Sequence, residues 1–152
     1  MADNSQITRD FTATTFVVHA DCTLLLLHRK LGMWLPPGGH IDPHELPHDA
    51  AVREVHEETG LAVALRTAPT PLGDVLVLPQ PHCMLLENIT AGHQHIDLIY
   101  VATVVSGTLS PSARETNGAR WVSWDDLAAP EIAHDICVLG RQAIALVRGD
   151  KE

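Results

Sequence analysis

The chain has 152 residues and a formal charge of −9, from 19 acidic against 10 basic side chains. That length allows one domain with a substantial core and excludes two ordinary ones, while the acidic balance, with no basic stripe, excludes broad nucleic-acid binding. Cys22, Cys83 and Cys137 are odd in number and far apart, which points to reduced thiols in a cytoplasmic protein and away from a disulfide framework or a zinc site.

Residues 1–10 read as a polar N-terminal tail without the apolar stretch of a signal peptide, and residues 11–150 as a single domain. No apolar run approaches the roughly 18 residues of a membrane span, so no membrane partner is expected. Phe11 to Ala20, rich in Thr, Phe and Val, reads as a strand. A turn at Asp21-Cys22 leads to a second strand, Thr23 to Arg29, whose Leu24-Leu25-Leu26-Leu27 run implies burial on both faces. His28-Arg29-Lys30 then carries positive charge towards the next loop; solvation of the strand end is the usual role of such residues, and contact of Arg29 with a bound phosphate group is the alternative. Trp34-Leu35-Pro36-Pro37-Gly38-Gly39-His40 reads as a rigid, then permissive loop. Its paired glycines let the backbone approach a ligand or ion closely. Trp34 is a candidate for stacking on a base, with packing inside the loop as the alternative.

Pro47 suits a helical first turn, where its missing N–H costs nothing, and Gly60 suits a left-handed C-cap. Between them a helix at about 100° per residue gathers Glu54, Glu57 and Glu58 within an arc of about 100°. Ala51, Val52, Val55 and Thr59 lie opposite and pack inward. Three carboxylates on one face repel one another. A hard divalent cation with a preference for oxygen, Mg²⁺ or alternatively Mn²⁺, removes that penalty. Arg53, beside Glu54 and one turn before Glu57, can fix carboxylate orientation through its planar fork, with Glu45 upstream as a further partner. His40, His44, His48 and His56 read as surface residues.

Beyond Gly60, Ala62 to Arg66 reads as a short strand, and the proline-punctuated stretch to Pro81 offers only short ones such as Val75 to Leu78. His82 to Ile89 and His95 to Val105 are strands around a turn at Ala91-Gly92. His93, His95 and Asp97 alternate and so share one face. Metal ligation, contact of His95 with substrate phosphate, and a plain polar strand entrance are all open there. Gly107 to Gly118 reads as a loop, Ala119 to Ser123 as a last short strand, and Trp124 to Leu127 as a helical turn. A final helix runs from about Glu131 to Arg148, with Ile132, Ile136, Leu139, Ala143 and Leu146-Val147 at helical spacing. Trp121 and Trp124 are expected to pack the core and its edge, and Cys137 to be buried and inert.

The stretch Gly39 to Leu61 resembles the Nudix box: Gly39, Glu45, Arg53, Glu54, Val55, Glu57, Glu58, Gly60 and Leu61 fall at all nine defining positions. The Trp34-Leu35-Pro36 lead-in and the Arg120-to-Leu127 stretch are similar to the family as well. The resemblance implies an α/β fold, an α/β/α sandwich with a mixed sheet. It also implies Mg²⁺-dependent hydrolysis of a diphosphate linkage in a small nucleotide, a nucleoside diphosphate joined to another group. On that reading Glu54, Glu57 and Glu58 hold the metal with help from the Gly39 carbonyl, and Arg53 and Glu45 orient them. Glu115, in a permissive loop six residues before Trp121, is similar in spacing to a glutamate that several such hydrolases carry, as a loop metal ligand or as the general base. Glu54 is the other candidate base. A non-catalytic Nudix recognition module is the alternative. Isopentenyl diphosphate isomerisation is disfavoured because Cys22 lacks the upstream context that chemistry requires. The proline, tyrosine and coenzyme A signatures of named subgroups are absent, so the substrate stays open between nucleoside triphosphates and nucleotide sugars. A homodimer is compatible with all of this.

Overall fold

The computed structural model describes residues 6–151. Strands β1 (Thr8–His19) and β2 (Cys22–His28) join through a tight turn at Ala20 (φ 48°) and Asp21 (φ 61°). Both residues are left-handed, as a two-residue hairpin that follows the strand twist requires. β1 and β2 pair only beside that turn, at Val18↔Thr23 and His19↔Cys22. They then part, and two short strands occupy the opening: β3 (Trp34–Leu35) against β2, and β4 (Gly38–His40) against β1. The stretch expected to be a loop is drawn into the sheet because parted strands leave backbone donors and acceptors in need of partners.

Helix α1 (Pro47–Thr59) comes next, followed by β5 (Ala62–Leu65), the hairpin β6 (Thr70–Leu72) and β7 (Val75–Val77), β8 (Cys83–Thr90), β9 (His93–Ser106) and β10 (Thr116–Ser123). A 3-10 turn at Asp126–Ala128 precedes helix α2 (His134–Asp150). The main sheet runs β10-β2-β1-β9-β5, with β8 also on β9. β1 and β9 are parallel from Thr8↔His93 to Val18↔Thr103, while the other pairings are antiparallel. The sheet is therefore mixed.

Alternation along the strands divides the core between two helices. Phe16, Val18, Leu25, Ile99, Val101 and Val122 pack against Ile136, Ala143, Ile144 and Val147 of α2. On the other face Val17, Leu24, Leu26 and Ala102 meet Val55 of α1, and Ala13, Leu98 and Tyr100 meet its Ala50 and Ala51. This is the expected α/β/α sandwich. Each such large apolar side chain stabilises the fold by about 1.5–3 kcal/mol.

Several boundaries shift. β1 begins at Thr8, so residues 8–10 belong to the sheet and not to a tail, held there by parallel pairing with β9. The reading of residues 1–5 as tail lies outside the described residues. α2 starts at His134 rather than Glu131, because Ala133 is extended (ψ 150°) and the Ile132 N–H turns back to the Ala129 carbonyl. β10 starts at Thr116 rather than Ala119, with an irregularity between the two. Leu27 is half-buried, since β3 rather than β1 is its neighbour there. Cys137 is also half-buried, not buried, and all three thiols are free. Thr70–Leu72 is an added strand, and its hairpin leaves Leu72, Val75, Leu76 and Val77 exposed. No described helix is long and apolar enough to cross a membrane.

Candidate active site

Local sequence chemistry sets α1. Pro47 stands in its first turn, and Gly60 closes it at φ 76°, donating its N–H to the His56 carbonyl. Val55 and Thr59 are buried, which turns Glu54 and Glu58 towards a cleft of about 720 Å³. That volume suits a small-molecule ligand. Gly38 and Gly39 form the cleft floor beneath the helix. A Cβ on Gly38 would lie 2.7 Å from the Ala13 carbonyl oxygen, and one on Gly39 would lie 2.5 Å from Glu54 Oε1. Only glycine lets the backbone at position 38 run so close to β1, while a side chain at position 39 would displace the Glu54 carboxyl.

Arg53 ties the cluster together. Its Nε donates to Glu45 Oε2 at 3.0 Å and its Nη2 to Glu45 Oε1 and, at 3.0 Å, to the His40 carbonyl. Nη1 donates to Glu54 Oε1 at 2.9 Å and to Glu57 Oε2 at 3.1 Å. One guanidinium thus links three carboxylates to the backbone next to Gly39, a geometry that lysine cannot reproduce. Those hydrogen bonds hold the Glu45 carboxyl below the usual carboxylate range. Glu54 and Glu58 move the other way. Burial, reinforced by the charges of Glu54 and Glu115, pushes Glu58 up to about 8 despite a 3.1 Å hydrogen bond from the Gly38 N–H. Burial also raises Glu54 against the pull of Arg53, with Glu57 and Glu115 adding repulsion. The cluster holds more negative charge than Arg53 neutralises, and oxygen donors in that state suit a hard divalent cation.

The loop after β9 docks on the end of this helix. Ser110 N–H donates to the Thr59 carbonyl at 2.7 Å and Ser112 N–H to the Glu58 carbonyl at 2.8 Å. Terminal carbonyls that a helix cannot satisfy internally are thereby satisfied. The docked loop brings Glu115 to the cleft. Arg29 holds it from the other side, with its guanidinium donating to the Ala113 carbonyl and its backbone N–H to the Glu115 carbonyl at 3.0 Å. Arg29 is therefore partly engaged in positioning the loop.

The opposite wall carries His95 and Asp97, from the face expected to be shared with His93. Asp97 is buried and accepts hydrogen bonds from Thr12 (2.8 Å) and Thr14 (2.8 and 2.9 Å). Burial raises it, and burial together with the Asp97 charge pushes neighbouring Glu87 up to about 7. The alternation of His93, His95 and Asp97 signalled this face. Its partners Thr12, Thr14 and Glu87 come from β1 and β8, which only the fold brings alongside.

Gly39, Glu54, Glu58, Glu115, Arg29 and His95 all line the cleft. Glu57 and Arg53 are not among the lining residues. Glu57 is exposed on the flank as a partner of Arg53. Trp34 does not line the cleft either: it packs against the core with the Arg120 guanidinium 4.4 Å above its ring. His48 is buried, not a surface residue, because it shares the inward helix face with Ala51 and Val55.

The NUDIX domain family model matches residues 9–138. The chain belongs to the Nudix family. It is 31% identical over 112 residues to a putative 8-oxo-dGTP diphosphatase of Bacillus subtilis, covering 73% of this chain and 64% of that protein. It is 36% identical over 140 residues to an m7GpppN-mRNA hydrolase of Bos taurus, covering 83% and 45%. The chain thus spans less than two thirds of the length of these curated relatives. The crystal structure of a NUDIX-family hydrolase from Clostridium perfringens superimposes with a TM-score of 0.81 at 36% identity, over 93% of this chain and 99% of that one.

The raised carboxyls of this Nudix domain make its stability depend on pH. Glu58, at about 8 in the folded protein against an ordinary 4.5, keeps a proton that the unfolded chain has released. The stability this contributes is present below the ordinary carboxylate range and is lost as pH rises through about 8. Glu54, Glu87 and Asp97 act in the same direction. In EDTA the melting temperature is expected to fall between about pH 5.5 and about pH 8. Added Mg²⁺ is expected to raise it more at the upper end, where fewer protons must be displaced. Circular-dichroism melts check this, and an Mg²⁺ effect that shrinks with rising pH contradicts it.

Proposed function

We propose that this Nudix domain is a Mg²⁺-dependent hydrolase of a diphosphate linkage in a small nucleotide, a nucleoside diphosphate joined to a further phosphate or a sugar. The observation that carries the reading is the Glu54–Glu58 pair, two carboxyls whose ionisation burial opposes, facing one cleft with the Gly39 backbone. The relatives' names support the class: one is called a diphosphatase and another an mRNA hydrolase. The proposed ligand set is Glu54, Glu58 and the Gly39 carbonyl, joined by Glu57 and, where it does not serve as the base, by Glu115, with Mn²⁺ as an alternative ion. A divalent cation held there supplies charge neutralisation to the diphosphate and lowers the pKa of a water for attack at phosphorus.

The chain's own residues do the rest. Arg53 fixes the carboxylate orientations, and Gly38 fixes Glu58 through its N–H. Glu115 takes the proton of the attacking water on its carboxylate, a role open to it because Glu54 is already engaged by Arg53. His95 and Arg29 contact the substrate's phosphates from the facing wall and the loop. The test is a panel of nucleoside triphosphates and nucleotide sugars assayed with Mg²⁺, with products identified by mass. Cleavage between two phosphorus atoms of at least one compound is expected. Tight binding of a nucleotide without turnover would instead make the chain a recognition module.

Arg53→Lys keeps the charge and loses the fork. It is expected to weaken Mg²⁺ affinity and lower kcat by about tenfold or more, with KM little changed. Isothermal titration with Mn²⁺ alongside steady-state kinetics reads both. A rise in KM alone would make Arg53 a substrate clamp.

A further inference from the structure

A second group of ligating side chains stands at the rim of the cleft, apart from the glutamates. Among the described residues, Asp10, His93 and His95 are the one set of three His, Cys, Asp or Glu side chains whose donor atoms all lie within 4.8 Å of one another. The parallel register of β1 and β9 creates it: Asp10 pairs with His95 and Thr8 with His93, so the three side chains stand on one face of adjacent strands. β4 adds His40, whose Nε2 lies 3.1 Å from Asp10 Oδ2 and whose ring centre is 5.0 Å from that of His95. His93 Nε2 lies 3.3 Å from the same Asp10 oxygen.

Two features mark this as a site built for a metal. Tetrahedral coordination at about 2.0–2.1 Å sets neighbouring donor atoms about 3.3–3.4 Å apart, and the His93-to-Asp10 separation of 3.3 Å matches that edge. The second feature is the orientation of His93. His93 Nδ1 lies 2.8 Å from the Thr8 hydroxyl, which is also 3.4 Å from the Gly92 carbonyl. A hydrogen bond on one ring nitrogen orients a histidine for ligation through the other, and here the other, Nε2, faces Asp10.

The geometry points to a site for a borderline divalent transition metal of the Zn²⁺ class, formed by Asp10, His93 and His95 at the rim of the catalytic cleft, which His95 also lines, and separate from its glutamates. Two imidazoles and one carboxylate, with the fourth position left to water, suit Zn²⁺ or Co²⁺ and do not select Mg²⁺, which requires an octahedral oxygen shell.

The test titrates the full chain with Co²⁺ at neutral pH in millimolar Mg²⁺, which occupies the oxygen-rich glutamate site. One equivalent is expected to bind with the intense visible bands of tetrahedral Co²⁺, and Zn²⁺ is expected to displace it. Asp10→Ala and His93→Ala should each weaken binding about tenfold or more, while Glu58→Gln leaves it unchanged. Unaltered circular dichroism of the variants shows that the loss is local. No Co²⁺ bands under these conditions, bands that survive both Asp10→Ala and His93→Ala, or bands lost in Glu58→Gln would each overturn the assignment.

Discussion

Glu58→Gln is expected to lower turnover by about 10²-fold or more while making the metal-free protein more stable at alkaline pH. The two effects share one cause. Glu58 sits where burial and the neighbouring Glu54 and Glu115 oppose its charge, which raises its pKa to about 8. Glutamine keeps the shape and can still accept the Gly38 N–H, made at 3.1 Å in the wild type. It removes the repulsion together with the ligand charge. Melting curves in EDTA should therefore separate progressively above about pH 5, with the variant higher and the gap complete above about pH 8, and converge at low pH where the carboxyl is protonated in both folded and unfolded wild type. Mg²⁺ should stabilise the wild type and have little effect on the variant. A variant that loses stability at every pH would mean that Glu58 serves the fold. A variant with wild-type turnover would remove it from the proposed metal site.

Glu115→Gln is the second large expected effect, at least tenfold in turnover, equivalent to roughly 1.4 kcal/mol of transition-state stabilisation. The loop carrying it is anchored at Ser110 and Ser112 to the carbonyls of Thr59 and Glu58, and by Arg29 to the Ala113 carbonyl. Its backbone is held against α1 while its carboxylate remains exposed. If Glu115 is the base, the acidic limb of the pH–rate profile disappears with it. If it serves as a ligand, the limb stays and raised Mn²⁺ or Mg²⁺ recovers part of the loss. Unchanged turnover and unchanged metal dependence would return Glu115 to the surface and make Glu54 the base.

What the sequence revealed was local. Helix α1, its proline start, its left-handed Gly60 and the face shared by Glu54 and Glu58 follow from spacing within one helix. So does the reach of Arg53 to Glu57, while its contact with Glu45 depends on the loop before the helix folding back. The signal for burial of His48 was present as well, in its spacing to Ala51 and Val55, and was masked by the polarity of the side chain. Features that depend on distant pairing were not legible. The parallel register of β1 and β9 joins residues about 85 positions apart and creates both the Asp97 pocket with Thr12 and Thr14 and the Asp10–His93 contact. Trp34 carried two readings, base stacking or packing. The choice rested on Arg120, which lies over its ring only because β10 and β3 both flank β2.

The central claim is that the glutamate face of α1 holds the divalent cation for hydrolysis of a diphosphate. The most direct measurement is turnover of the preferred nucleotide in ¹⁸O-water, with and without EDTA, with each product weighed by mass spectrometry. The expected result is one ¹⁸O in one phosphate-bearing product, cleavage between two phosphorus atoms, abolition by EDTA and recovery with Mg²⁺. Cleavage that persists in EDTA, or ¹⁸O found only in a product without phosphate, would contradict it.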